Sequence, residues 1–146
     1  MGKANWFWLI LLMASCGPPA MRKGLDGIRI PEGFQVEIVR RAGSGEGSWV
    51  SMAFSPDGSL FVSPQTGKLL RFPPGKRPGS LGDPASIPFP VGSAQGLCWA
   101  NDSLYANVVG SEEGDGGLHR LMDLDGDGEF DEHRHLKAFG PSSEHG

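Results

Sequence analysis

From Ile28 onward, glycine and proline interrupt the chain every few residues, and no stretch carries apolar side chains at the helical spacing of about 3.6 residues. Between these interruptions lie short runs rich in Val, Ile, Phe and Leu, too brief for stable helices and the right length for strands. With 23 glycines and 12 prolines in 146 residues, the sequence predicts an all-β domain. Strands are expected at 34–39, 51–54, 60–63, 68–72, 95–99, 104–109, 118–122 and 133–139. Trp49 and Trp99 read as core aromatics. Cys98, inside the apolar run Leu97-Cys98-Trp99-Ala100, reads as a small buried core side chain rather than a reactive thiol.

Two segments share one plan: Ser51-Met52-Ala53-Phe54-Ser55-Pro56-Asp57-Gly58-Ser59-Leu60-Phe61-Val62 and Gly96-Leu97-Cys98-Trp99-Ala100-Asn101-Asp102-Ser103-Leu104-Tyr105-Ala106-Asn107. Each reads as a strand, a tight polar turn and a second strand. Proline presets φ in the first turn, and glycine, asparagine or aspartate tolerates the positive φ that such turns demand. A further strand follows each hairpin, and the units are offset by about 45 residues, the length of one β-propeller blade. The expected fold is therefore about two blades of a β-propeller, the alternative being two unrelated hairpins in a sandwich. Propellers close with about four to eight blades, so two need either the remainder of a longer chain or self-assembly. The last residues, Ser143-Glu144-His145-Gly146, have no terminal character, and truncation is the favoured expectation.

At the other end, Lys3 precedes an apolar run over 6–13, and small residues then lead to Cys16. The run is much shorter than the roughly 20 residues a membrane-spanning helix needs, and the layout is that of an export signal. Met13-Ala14-Ser15-Cys16 resembles the lipobox of bacterial lipoproteins, in which the cysteine is lipidated and becomes the mature N-terminus. The alternatives are an ordinary secretory signal with an incidental cysteine, or a short uncleaved anchor. The expected organisation is a signal peptide over 1–15, a lipidated tether over 16–27 and a partial propeller over 28–146. The protein is then exported, held at a membrane through Cys16 and placed at the outer membrane, in the periplasm or at the cell surface; Gly17 favours the outer membrane. A mature chain of about 130 residues makes one small domain. The net charge is −4 and the basic residues are scattered, which excludes nucleic acid as a partner. Once Cys16 is acylated, Cys98 has no partner for an intramolecular disulfide.

The sharpest chemical motif is Asp123-Leu124-Asp125-Gly126-Asp127-Gly128-Glu129-Phe130-Asp131-Glu132. Ca²⁺ takes about six to eight oxygen ligands, and a D-x-D-x-D-G loop can fold Asp123, Asp125 and Asp127 around one point, with the Glu129 carbonyl and Asp131 completing the set. The twelfth position of an EF-hand loop would hold a bidentate glutamate; here it is Arg134, and the flanks read as strands. The expectation is an EF-like calcium loop between strands, structural rather than catalytic, against the alternative of a solvated acidic turn. His145, beside Glu144, has the chemistry of a general base, though an ordinary loop histidine has the same signature. No pair among His119, His133 and His135 shows the spacing of a zinc site. The sequence has no nucleophile elbow, phosphate-cradling glycine loop or Cys-x-x-Cys-His haem motif.

Ile30-Pro31-Glu32-Gly33-Phe34-Gln35-Val36-Glu37-Ile38-Val39, followed by the 52–62 hairpin, resembles the opening blade of the glucose/sorbosone dehydrogenase-like β-propellers. Within that group the likeness is to large exported planctomycete proteins of the membrane-bound dehydrogenase type. The segment 120–132 and the ending Glu144-His145-Gly146 resemble the same pattern. The resemblance covers about residues 28–146. It implies a six-bladed or similar propeller that holds pyrroloquinoline quinone at its central channel, binds calcium and oxidises sugars, with His145 in the place of the residue that takes the proton. Two readings follow: the N-terminal part of a quinoprotein-like sugar or alcohol dehydrogenase, or a non-catalytic, calcium-stabilised propeller module that binds a glycan or protein at the cell surface.

Overall fold

The computed structural model describes residues 21–23, 27–110 and 116–140. Residues 1–15, expected to be a signal peptide, Cys16 and His145 lie outside the described residues. The chain divides into two units, Met1–Ile38 and Val39–Gly146. In the first, β1 (Met21–Lys23) and β2 (Arg29–Pro31) pair antiparallel, with Met21 opposite Pro31. This small hairpin starts within the stretch expected to be a tether. The strand expected over 34–39 does not form. Its alternation of Phe34, Val36 and Ile38 with polar residues suits a half-buried strand, but a strand exists through its pairing, and no described strand pairs with it.

The second unit holds two four-stranded antiparallel sheets. One consists of β3 (Trp49–Phe54), β4 (Leu60–Pro64), β5 (Leu70–Phe72) and β6 (Ala85–Ser86); the other of β7 (Ala94–Ala100), β8 (Ser103–Val108), β9 (Gly117–Met122) and β10 (Glu132–Ala138). Each is a meander whose strands neighbour one another in chain order. The described residues include no α-helix, and none that could cross a membrane. All seven expected strands from 51 to 139 are present with shifted ends. The two-residue β6, set between Pro84 and Pro88, carries no readable pattern.

Local chemistry explains the turns. Ala100 pairs with Ser103, so Asn101 and Asp102 form a two-residue hairpin loop with φ of 48° and 52°. Positive φ at both positions is the type I′ geometry, which matches the right-handed twist of the strands. In the β3–β4 loop, Gly58 takes φ 87° and donates its N–H to the Ser55 carbonyl at 2.9 Å, closing the turn that Pro56 enters.

The strand alternation gives the first sheet two different faces. Phe61 and Ala53 point to the second sheet, where they join Leu104, Ala106, Leu121 and Val108 in the main core. Leu60, Val62 and Phe72 point the other way and pack with Trp49, Leu70 and Leu81. β3 lies against β7, and the Ser51 hydroxyl donates to the Ala94 carbonyl at 2.7 Å across the junction. Phe61, only 2% exposed, stacks on Trp99 at 5.6 Å and meets Phe130 at 5.5 Å. Burying such a ring is worth about 1.5–3 kcal/mol before any aromatic pairing is counted. Trp49 and Trp99 thus pack against the cores as expected.

Cys98 does not. It is exposed, because Leu97 and Trp99 on either side turn inward and the bulge between Ala94 and Gly96 fixes which residues of β7 face the core. Its row, Cys98–Tyr105–Arg120–Arg134, runs along the outer face. A continuous apolar run conceals this alternation, since both faces then read alike.

Candidate functional site

At one end of the two sheets, the β3–β4 turn and the β9–β10 loop enclose a cleft of about 260 Å³. Phe61, Trp99 and Phe130 line its apolar side, while Asp57, Arg71 and Asp123 line its polar side.

The β9–β10 loop is built by its own carboxylates. Asp123 accepts from the N–H groups of Gly126 at 2.7 Å and Gly128 at 2.8 Å, curling the chain back over itself. Asp131 accepts from the Leu124 N–H at 2.7 Å, and the Asp131 N–H donates to the Met122 carbonyl at 2.9 Å, so the loop is closed where the strands meet. Asp125 accepts from the Asp127 N–H at 3.1 Å, and Asp127 from the Glu129 N–H at 2.7 Å.

This folding brings carboxylate oxygens of Asp123, Asp125 and Asp131 within 4.8 Å of one another. A calcium ion with bonds of about 2.3–2.6 Å spans about 5 Å between opposite ligands, so the three oxygens fit around one hard cation. Of the five residues named from the sequence, these three converge. The Asp127 carboxylate falls outside the converging group and caps the Glu129 N–H; for Glu129 the expected ligand is the backbone carbonyl, and its carboxylate lies 3.5 Å from Arg71. The loop does join two strands, as expected, and Arg134 at the twelfth loop position turns to Glu132 at 2.5 Å.

Arg71 is the residue that sequence reasoning missed. It stands in β5 between Leu70 and Phe72, and its guanidinium reaches both loops. Toward the first it contacts the Ser59 hydroxyl at 3.2 Å and Asp57 at 3.6 Å; toward the second it donates to the Gly128 carbonyl. Gly128 fits there because its φ is 91° and because a Cβ at that position would stand 2.8 Å from the Arg71 Nη2. A charged residue flanked by Leu70 and Phe72 was the available signal, but its partners lie in distant segments of sequence.

Asp57 is served differently from the loop aspartates. Both Ser55 and Ser59 donate hydroxyls to it, the latter at 2.8 Å, and the Ser59 N–H adds a bond at 3.2 Å. Burial pushes its carboxyl up, but these hydrogen bonds and the charge of Arg71 outweigh that effect and hold it below the usual carboxylate value.

The quinone of the resembled family is a tricarboxylate and calls for several cationic groups. Among the described residues lining the cleft, Arg71 alone is cationic, and its guanidinium is engaged by Asp57, Ser59, Gly128 and Glu129. The donor set therefore does not fit that cofactor.

No protein-family model, curated protein or solved structure matches the chain.

Proposed function

We propose that the chain is a calcium-braced module made of two successive β-propeller blades, exported and tethered through Cys16, whose cleft receives a glycan or a protein surface. The observation that carries the reading is the convergence of Asp123, Asp125 and Asp131 in a loop wired through Arg71 to the neighbouring sheet. A cation there relieves the repulsion among the carboxylates and stiffens the loop that forms one wall of the cleft. The role is structural, since the carboxylates belong to a single loop.

Three features support the propeller part of the reading. Each sheet is a four-stranded meander, their first strands β3 and β7 lie together, and the far side of β3 leaves Met52 and Phe54 56% and 61% exposed. An apolar face of that kind is what a preceding blade covers. The cleft combines aromatic rings with carboxylates and a guanidinium, which suits a sugar whose C–H face stacks on a ring while its hydroxyls bond the polar side.

A second reading, part of an exported sugar or alcohol dehydrogenase, rests on the likeness of 30–62 and 120–132 to the glucose/sorbosone dehydrogenase-like propellers. The two are separated by dye-linked oxidation of sugars and alcohols in the presence of quinone and calcium. The module reading expects no turnover; steady turnover by this chain would replace it with the dehydrogenase.

The calcium brace is tested by thermal unfolding. At a hundredfold excess over Kd, a cation bound only by the folded state adds about 2.7 kcal/mol, which raises Tm by roughly 10 °C or more in a domain of this size. Asp125→Asn is expected to remove that rise while leaving the metal-free Tm nearly unchanged. Equal melting of the wild type with and without calcium rules the brace out.

A further inference from the structure

The hairpin that carries the acidic loop at its tip also gathers three histidines along its inner face. Period-two alternation puts His133 and His135 of β10 on the same side, and the antiparallel register sets His119 of β9 directly opposite His135. Their rows begin in the core: Trp99–Leu104–Leu121–His133 and Leu97–Ala106–His119–His135. The imidazoles therefore end the apolar inner face at its outer edge, where Phe89 lies 5.6 Å from the His133 ring.

Their geometry is close. His119 Nδ1 and His133 Nε2 are 2.8 Å apart, and His119 is only 3% exposed. The His135 ring stacks on His119 with centroids 4.2 Å apart and planes 7° from parallel. Two imidazole nitrogens in a hydrogen bond share one proton, directed from one ring to the lone pair of the other. If the donating ring takes its other neutral tautomer, the two lone pairs face each other with no change in net charge, and a swing of both rings out of line turns them toward a common point. Two nitrogens bound to one tetrahedral ion at about 2.0–2.1 Å are about 3.3 Å apart, so the pair needs to open by about half an ångström as the rings swing.

We propose that His119 and His133 chelate a divalent late first-row transition ion of the Zn²⁺ or Cu²⁺ class, with His135 as the third ligand. His135 is exposed on an edge strand and reaches the ion by leaving its stack on His119. Imidazole nitrogen selects such borderline ions, whereas the carboxylates at the hairpin tip select hard ones. One hairpin thus presents two cation sites of different chemistry, and this second site does not depend on the calcium reading.

The test is calorimetric titration of Zn²⁺ into the full chain with calcium in saturating excess, paired with nuclear magnetic resonance of the imidazole nitrogens. One zinc per chain is expected, with the His119 Nδ1 and His133 Nε2 resonances shifting on binding. His133→Asn is expected to weaken binding by more than the roughly tenfold that loss of an outer-shell partner costs, and His135→Asn by a smaller factor. Asp125→Asn is expected to leave zinc affinity unchanged. The proposal is overturned if wild type takes up no zinc, if His119 and His133 nitrogens do not move, or if affinity falls with Asp125→Asn and survives His133→Asn. The nitrogen shifts of the wild type decide the question should a variant fail to fold.

Discussion

The two acidic loops that meet at Arg71 solve the same problem in opposite ways. In the β3–β4 turn a single carboxylate, Asp57, is surrounded by donors: two serine hydroxyls, a backbone N–H and a guanidinium. In the β9–β10 loop three carboxylates face one another, and the donors they have in common are backbone N–H groups of the same loop. The first is complete as it stands. The second has its shape fixed by hydrogen bonds but its charge unbalanced, and that imbalance is what a cation corrects.

This contrast can be broken at several points, the largest effect coming from the ring beneath both loops. Phe61→Ala removes the contact shared by Trp99 and Phe130 and opens a cavity between the sheets; chemical denaturation should show a loss of about 3–5 kcal/mol. Arg71→Ala cuts the link between the loops and leaves Asp57 without its guanidinium, for a loss of about 1.5–3 kcal/mol in the same assay. An Arg71→Ala protein as stable as wild type would mean that the loops are not energetically joined. Gly128→Ala places a Cβ against the guanidinium at a left-handed φ, and about 1–2 kcal/mol of destabilisation is expected.

The smallest effect is on pH dependence. Asp57 titrates in the folded protein below its ordinary value of 3.8. Folding therefore favours its ionised form, so its contribution is complete above that ordinary value and is lost as pH falls through the lowered one. Because the side chain is 54% exposed, the contribution is modest. Asp57→Asn should flatten the acid limb of the stability curve, and an unchanged limb would show that Asp57 is not held as described.

What the sequence made legible was local. Asn101-Asp102 announced a turn with positive φ at both residues, and the flanking alternation located β7 and β8. The aspartates of the β9–β10 loop were equally plain. What could not be read was decided by register and by pairing across long stretches of chain. Cys98 faces outward because of a bulge, 34–39 pairs with no described strand despite its alternation, and Arg71 finds its partners in loops on either side of it in sequence. The histidines illustrate the same limit, since His119 and His135 have no chelating spacing along the chain and yet stand opposite one another across two strands.

The most direct test of the central claim is calorimetric titration of calcium into three proteins: wild type, Asp125→Asn and Asp127→Asn. The account predicts one calcium per chain in the wild type, loss of binding in Asp125→Asn, whose carboxylate belongs to the converging group, and retention in Asp127→Asn, whose carboxylate lies outside it. Absence of binding in the wild type, or equal loss in both variants, would contradict it.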